Sequence, residues 1–269
     1  MEIAEHIDAL RLEGALLADA AERAGLDAAV PPCEPWLVKD LLRHTGFIHR
    51  WAARHITELP ASILDGPPED EILKGGAADP ELVAWFRAGH AALVEVLSAA
   101  DPALDCATFM SAPCPLAFWA RRQAHETAMH RADADSATGA LPTYAADFAA
   151  DGIDELIMGF GRRAKYRPAT DADAEGGRLR VVSADTGEAW SIDAHEGRMQ
   201  PRRDNGEEDR AADQAADGAG EVVCTVSGPA SGVYLFLWHR ADAARAGVTL
   251  TGNPGLLECW QSSVRVRWG

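Results

Sequence analysis

Long apolar runs are missing from this sequence: nowhere do about 18 apolar residues follow one another, which excludes a simple membrane-spanning helix. Cysteine is scarce as well. Five residues (Cys33, Cys106, Cys114, Cys224 and Cys259) stand far apart with no CxxC pair, so neither a disulfide framework nor a zinc ribbon is expected. They read as small buried apolar residues in a reducing, cytoplasmic protein. Positive charge is in deficit, with 25 Lys and Arg against 42 Asp and Glu and a net charge of -17. Such a surface repels phosphate, so nucleic acid and anionic membranes are excluded as partners. The N-terminal residues lack a basic stretch followed by a pure apolar core and are expected to be mature protein rather than an export signal. There is no internal repeat. What the chain does have is a 47 % hydrophobic content across 269 residues, enough for one or two folded domains.

Periodicity assigns the fold class as α+β: a helical bundle over residues 1–165, then a small α+β domain over 175–269. Ile3, Ile7, Leu10, Gly14 and Leu17 share one face of a first helix that stops before Pro31 and Pro32. A second carries Leu37, Leu41, Ile48 and Ala52, from Trp36 to about Ile56. Asp79 and Pro80 open a third, Pro115 a fourth reaching about Asp135, and Thr143 is expected to cap a fifth through Phe160. Beyond Gly176 the period shortens. Arg178–Ser183 and Glu188–Asp193 flank Asp185-Thr186-Gly187 as a hairpin, and Glu221–Ser227 and Val248–Thr251 are further strands. Helices are expected over Gly228–Ala244 and Pro254–Trp260, and an acidic loop over about 200–220.

The fourth helix has a face that a packed bundle would not ordinarily bury. Glu126 and His130 lie four apart, and Trp119, Gln123 and Asp133 fall on the same side. His125 and His130 are five apart, about 140° around the helix, so they do not grip one ion as the histidines of HExxH do. A third ligand is expected from the second helix, which offers His44, His49 and His55. His44 lies on the apolar stripe and points inward, whereas His49 is rotated by about 140° and reads as peripheral. His55 is on the order of 16 Å further along the axis, too far to share an ion with His44. The expected site is therefore His44, Glu126 and His130, a two-histidine, one-carboxylate set typical of catalytic zinc and of non-haem iron. His6, His90 and His195 read as surface residues, Trp85 and Phe86 as core.

The string Trp36-Leu-Val-Lys-Asp40-Leu-Leu-Arg-His44-Thr-Gly46-Phe-Ile-His49-Arg-Trp51-Ala resembles the N-terminal motif of the mycothiol-dependent maleylpyruvate isomerase family, within the DinB-like metal-binding bundle superfamily. His125-Glu126-Thr-Ala-Met-His130-Arg-Ala-Asp133-Ala resembles its second motif. Ser227-Gly-Pro-Ala-Ser231-Gly-Val-Tyr-Leu-Phe-Leu-Trp238-His-Arg240-Ala and Val248 to Trp260 resemble its small C-terminal domain. The resemblance implies a divalent ion, commonly zinc, on His44, Glu126 and His130. It also implies mycothiol, a low-molecular-weight actinobacterial thiol, as cosubstrate. A dication deprotonates a thiol whose pKa is about 8.5, so no protein cysteine is required. The thiolate would add to a maleyl double bond, allow rotation and leave, which is cis/trans isomerisation. Arg240 resembles a residue of the family able to hold a substrate carboxylate, although an arginine near a helix end also serves the helix itself.

The expected partners are thus a small-molecule substrate and the thiol, with the chain a monomer or homodimer. Three other functions share these features. A mycothiol S-transferase would keep the thiol attached to its product, a non-catalytic binding protein would use the ion for stability, and an oxygenase would hold ferrous iron.

Overall fold

The structure is a computed structural model that describes residues 1–63, 78–163, 176–195, 197–204, 222–264 and 266. The chain divides into two compact units, Met1–Pro142 and Thr143–Gly269.

Among the described residues the first unit has four α-helices: α1 (Ile3–Ala24), α2 (Val38–Glu58), α3 (Leu82–Ala99, entered through a 3-10 turn at Asp79–Glu81) and α4 (Pro115–Ser136). Each lies where the apolar period and the prolines place it. Helix α3, with the turn before it, is long and apolar enough to cross a membrane by length and composition. Its Leu82, Phe86, Leu93 and Leu97 are nevertheless buried, and it packs on α1 and α2 as a core helix does. Helix α4 is covered by α1, α2 and α3, so burial extends around almost its whole circumference from Leu116 to Asp135. That central position buries the polar face singled out in the sequence.

Two close approaches set how the helices sit. A Cβ on Gly14 would lie 2.2 Å from Nε2 of His90, so only glycine lets α1 meet α3 there. The His90 ring fills the gap and donates from Nε2 to the Leu10 carbonyl at 2.9 Å. A Cβ on Gly46 would fall 2.2 Å from the Trp85 ring, where α2 meets α3. Arg50 lies over that indole at 3.7 Å and donates to the carbonyls of Gly46 (2.9 Å) and Trp85 (2.6 Å).

The segment between α1 and α2 is short and closely bonded. Val30 N–H donates to the Trp36 carbonyl, Trp36 N–H to Cys33 and Val38 N–H to Ala28, each at 2.9 Å. The Asp40 carboxylate accepts the Leu37 N–H at 3.0 Å and closes the first turn of α2. Trp36 is therefore fixed at the entrance of α2, one side of the polar cluster described below.

The second unit begins with α5 (Ala146–Asp154), extended by a π-turn at Glu155–Phe160 and a 3-10 turn at Gly161–Arg163. A five-stranded sheet of order β3-β2-β1-β4-β5 follows: β1 (Gly177–Ser183), β2 (Ala189–His195), β3 (Arg198–Arg203), β4 (Val222–Gly228) and β5 (Thr249–Gly252). Strands β1 and β4 are parallel and the other neighbours antiparallel. Leu179, Val181, Trp190, Ile192, Met199, Cys224 and Val226 are buried. Arg178 of β1 pairs with Asp193 of β2 (2.6 Å), while Arg180 of β1 and Arg202 of β3 pair with Asp204, just after β3 (3.2 and 3.0 Å). A sheet apolar on one side and charged on the other follows from period-two alternation.

Helices α6 (Ala230–Leu237), α7 (Ala243–Ala246) and α8 (Gly255–Ser263) are the further helices among the unit's described residues. Asp185, in the β1–β2 turn, accepts the Ala230 N–H at 2.8 Å and so secures the start of α6.

Four expectations differ from this arrangement. The division falls between Pro142 and Thr143 rather than near residue 165, because α5 packs on α6. Trp238 Nε1 donates to the Gly152 carbonyl at 3.2 Å, and Tyr144 and Phe148 meet the Tyr234 ring. Periodicity reveals that a helix is amphipathic but not which partner covers it. Thr143 does not cap α5, which starts from Ala145. The helix expected over Gly228–Ala244 stops at Leu237, because His239 takes a positive φ of 63° and Arg240 N–H returns to the Leu235 carbonyl. Of the expected acidic loop, Gln200–Arg203 finish β3, a strand the sequence reading missed, and 205–221 lie outside the described residues.

Candidate functional site

Helices α2 and α4 bring together His44, Glu126 and His130, whose ligand atoms all lie within 4.8 Å of one another. Glu126 Oε1 is 3.2 Å from Nε2 of His130 and 3.8 Å from Nε2 of His44. Two donors on one tetrahedral ion with bonds of about 2.0–2.1 Å would be about 3.4 Å apart, so the observed spacings bracket that of a shared ion. The donor set, two imidazole nitrogens and one carboxylate oxygen, is also one that zinc accepts. The residues fit a divalent ion on both counts.

Access and orientation are graded. The His130 side chain is wholly buried, Glu126 is 4 % exposed and His44 15 %, so His44 is the most accessible of the three. The Trp36 ring lies 5.0 Å from the ring of His44 and 6.5 Å from that of His130. His130 Nδ1 donates to Asp133 Oδ2 at 2.9 Å. This bond sets the imidazole so that Nε2 faces Glu126 and His44, the arrangement by which an outer carboxylate orients a histidine ligand. Arg122, one turn before Glu126, donates from Nη2 to Glu126 Oε2 at 3.2 Å.

The electrostatics favour positive charge at this point. Burial opposes ionisation of Glu126, yet the close imidazoles of His130 and His44 and the charge of Arg122 hold its carboxyl far below the ordinary range. Burial also opposes charge on His130, but Asp133 and Glu126 outweigh it and raise its pKa.

The remaining histidines sort differently from the sequence reading. His49 is fully buried rather than peripheral. Its Nε2 lies 2.9 Å from Thr127 Oγ1, and its ring adjoins Phe86 and His90. The rotation of about 140° from His44 was correct, but α3 covers that side of α2. Burial, then the neighbouring charge of His90, pushes the His49 pKa well down. His90 and His6 are buried as well, the latter with its ring 6.0 Å from that of His125 on the side of α4 facing α1. His195 is exposed, as expected. His55 donates from Nδ1 to the Trp51 carbonyl at 2.9 Å and packs on Trp119, away from the cluster. Phe86 is core and Trp85 half-buried, while Trp119, Gln123 and Asp133 are buried as the polar face required.

Arg240 sits in the bend after α6, where Nη1 donates to the Trp238 carbonyl at 2.7 Å. Cys106, Cys224 and Cys259 are buried, Cys33 and Cys114 half-buried, and all five are free thiols. Sequence reasoning assigned no role to Arg122 or Trp36. The first was legible as the residue four before Glu126, while the second depends on the fold of the preceding loop.

Residues 7–135 match the mycothiol maleylpyruvate isomerase N-terminal domain. This part of the chain is similar to that family domain. All three converging residues fall inside the match. Among solved structures, the mycothiol-dependent maleylpyruvate isomerase superposes with a TM-score of 0.59 at 14 % identity, covering 94 % of this chain and 95 % of that one. A point mutant of it gives 0.60 at the same identity and coverage. At that identity the likeness establishes the shared α+β fold. No curated protein matches the chain.

Proposed function

We propose that the protein is a thiol-dependent enzyme of the maleylpyruvate isomerase type, in which His44, Glu126 and His130 hold a divalent ion, commonly zinc, beside a bound mycothiol. The observation that carries this reading is the convergence of two imidazoles and one carboxylate, at ligand spacing, inside the segment that matches the family. When bound, the ion would favour the thiolate form of the cosubstrate at neutral pH.

The residues of the chain supply the rest. Asp133 keeps the proton of His130 on Nδ1, so Nε2 presents a lone pair to the cluster. His44 forms the accessible side, and the Trp36 indole limits the approach of water there. The sulfur comes from the small thiol, not from the protein: burial pushes the Cys106 and Cys224 thiols up, so neither is an activated nucleophile. Addition of the thiolate to the electron-poor double bond of a maleyl substrate leaves a single bond, rotation follows, and departure of the thiolate restores the alkene in the trans form. Arg240 is proposed to bind a substrate carboxylate through its guanidinium fork.

The test is to incubate purified protein with maleylpyruvate, with and without mycothiol, and to follow both compounds. The proposal expects conversion to the trans isomer only when mycothiol is present, with the thiol recovered unchanged. Arg240→Lys should lower turnover while leaving metal content unchanged. Consumption of mycothiol in a one-to-one conjugate would replace isomerisation by S-transfer, and no thiol dependence would refute the reading.

A further inference from the structure

The two oxygens of the Glu126 carboxylate face different partners. Oε1 lies toward Nε2 of His130 and of His44 at 3.2 and 3.8 Å, whereas Oε2 accepts a hydrogen bond from Arg122 Nη2 at 3.2 Å. Arg122 precedes Glu126 by four residues, so the two side chains stack one turn apart on the same face of α4. Both are 3 % exposed. A guanidinium this deeply buried is costly unless paired, and leaving either partner alone would be costlier still. The α4 backbone therefore divides the carboxylate between a cation on one side and a pair of imidazoles on the other.

That division matters because a carboxylate binds a metal through one oxygen or through both. Coordination through both, together with two histidines, would fill four positions and close the site, whereas a catalytic zinc site keeps one position for a water or substrate atom. We propose that Arg122 is a positioning residue that restricts Glu126 to single-oxygen coordination, thereby keeping a metal position open for the thiol sulfur. The proposal rests on the metal reading above. It also gives the guanidinium a second effect. Its charge offsets part of the carboxylate charge, so a bound ion keeps more of its own for the sulfur. Lysine carries the charge on a single nitrogen with no planar fork, and retains this function only in part.

The experiment loads full-length protein with Co2+ and measures two affinities: that for cobalt, by the visible absorption of the ion, and that of the cobalt protein for 2-mercaptoethanol, by sulfur-to-cobalt charge transfer. Relative to wild type, Arg122→Met should still take up one ion per chain. It should bind cobalt no more weakly, since Glu126 gains a second contact, and should bind the thiol about 10–100-fold more weakly. Arg122→Lys should fall between the two, and it carries the test if the methionine variant does not fold. A brace acting only on the fold would give the reverse: weaker cobalt binding with thiol affinity unchanged, and that result overturns the proposal. Wild-type-like values for both measurements in both variants overturn it too, leaving the metal reading intact. Wild-type protein that binds no cobalt overturns the metal reading itself and this proposal with it.

Discussion

Asp133 shows how a residue with no direct part in ligation sets the geometry of one that has it. Its carboxylate accepts the hydrogen bond from Nδ1–H of His130, both side chains are wholly buried, and no other orientation of the ring keeps that bond while presenting Nε2 to Glu126. Asp133→Ala should therefore weaken metal binding about 10–100-fold with the ligands themselves intact, measured by competition with a chromogenic chelator. Unchanged affinity would mean that packing alone orients His130. At this scale the sequence was informative about type and spacing but not about surroundings. The spacing of four placed Glu126 and His130 on one face, and the helical phase separated His44 from His49. Whether a given phase meets solvent or another helix depends on which helices are adjacent, and so His49, His90 and His6 were taken for surface residues though all are buried.

Among the elements, the bundle helices were readable because proline and apolar period mark both their ends and their faces. The strand β3 was not. Its sequence, Arg198–Arg203, contains a single buried apolar residue, Met199, and it is held by pairing with β2 rather than by an apolar pattern of its own. The break after Leu237 depends on the backbone of His239, which no composition signal announces. Contacts between elements leave a sharper trace. Gly14 exists as glycine because the His90 ring occupies the space of a side chain, so Gly14→Ala should force α1 from α3 and cost about 1–3 kcal/mol in chemical denaturation. An unaffected midpoint would show that the helices adjust without strain.

For the molecule as a whole, buried neutral histidines tie stability to pH. Burial lowers the pKa of His49 and His90 below the ordinary value of 6.5, so the unfolded chain binds protons there that the folded chain refuses. Their contribution is complete above that value and is lost as pH falls below it toward their folded values. His130, raised, contributes in the opposite sense, losing stability as pH rises through its folded value, and Glu126 loses its share only at still lower pH. The urea midpoint should thus fall between about pH 6.5 and about pH 5, and His90→Gln should reduce the slope. A flat profile would mean that both histidines are protonated in the fold. The charge of -17 is legible in the sequence on this same scale, whereas the unit boundary at Pro142 depends on packing.

The central claim is that His44, Glu126 and His130 form one metal site, and it is met most directly by metal analysis of the full chain purified without chelator. Wild-type protein should carry one divalent ion per chain, and Glu126→Ala should carry far less than one while His49→Ala keeps its ion. Stoichiometric metal in Glu126→Ala, or its loss in His49→Ala with the fold intact, would contradict the account.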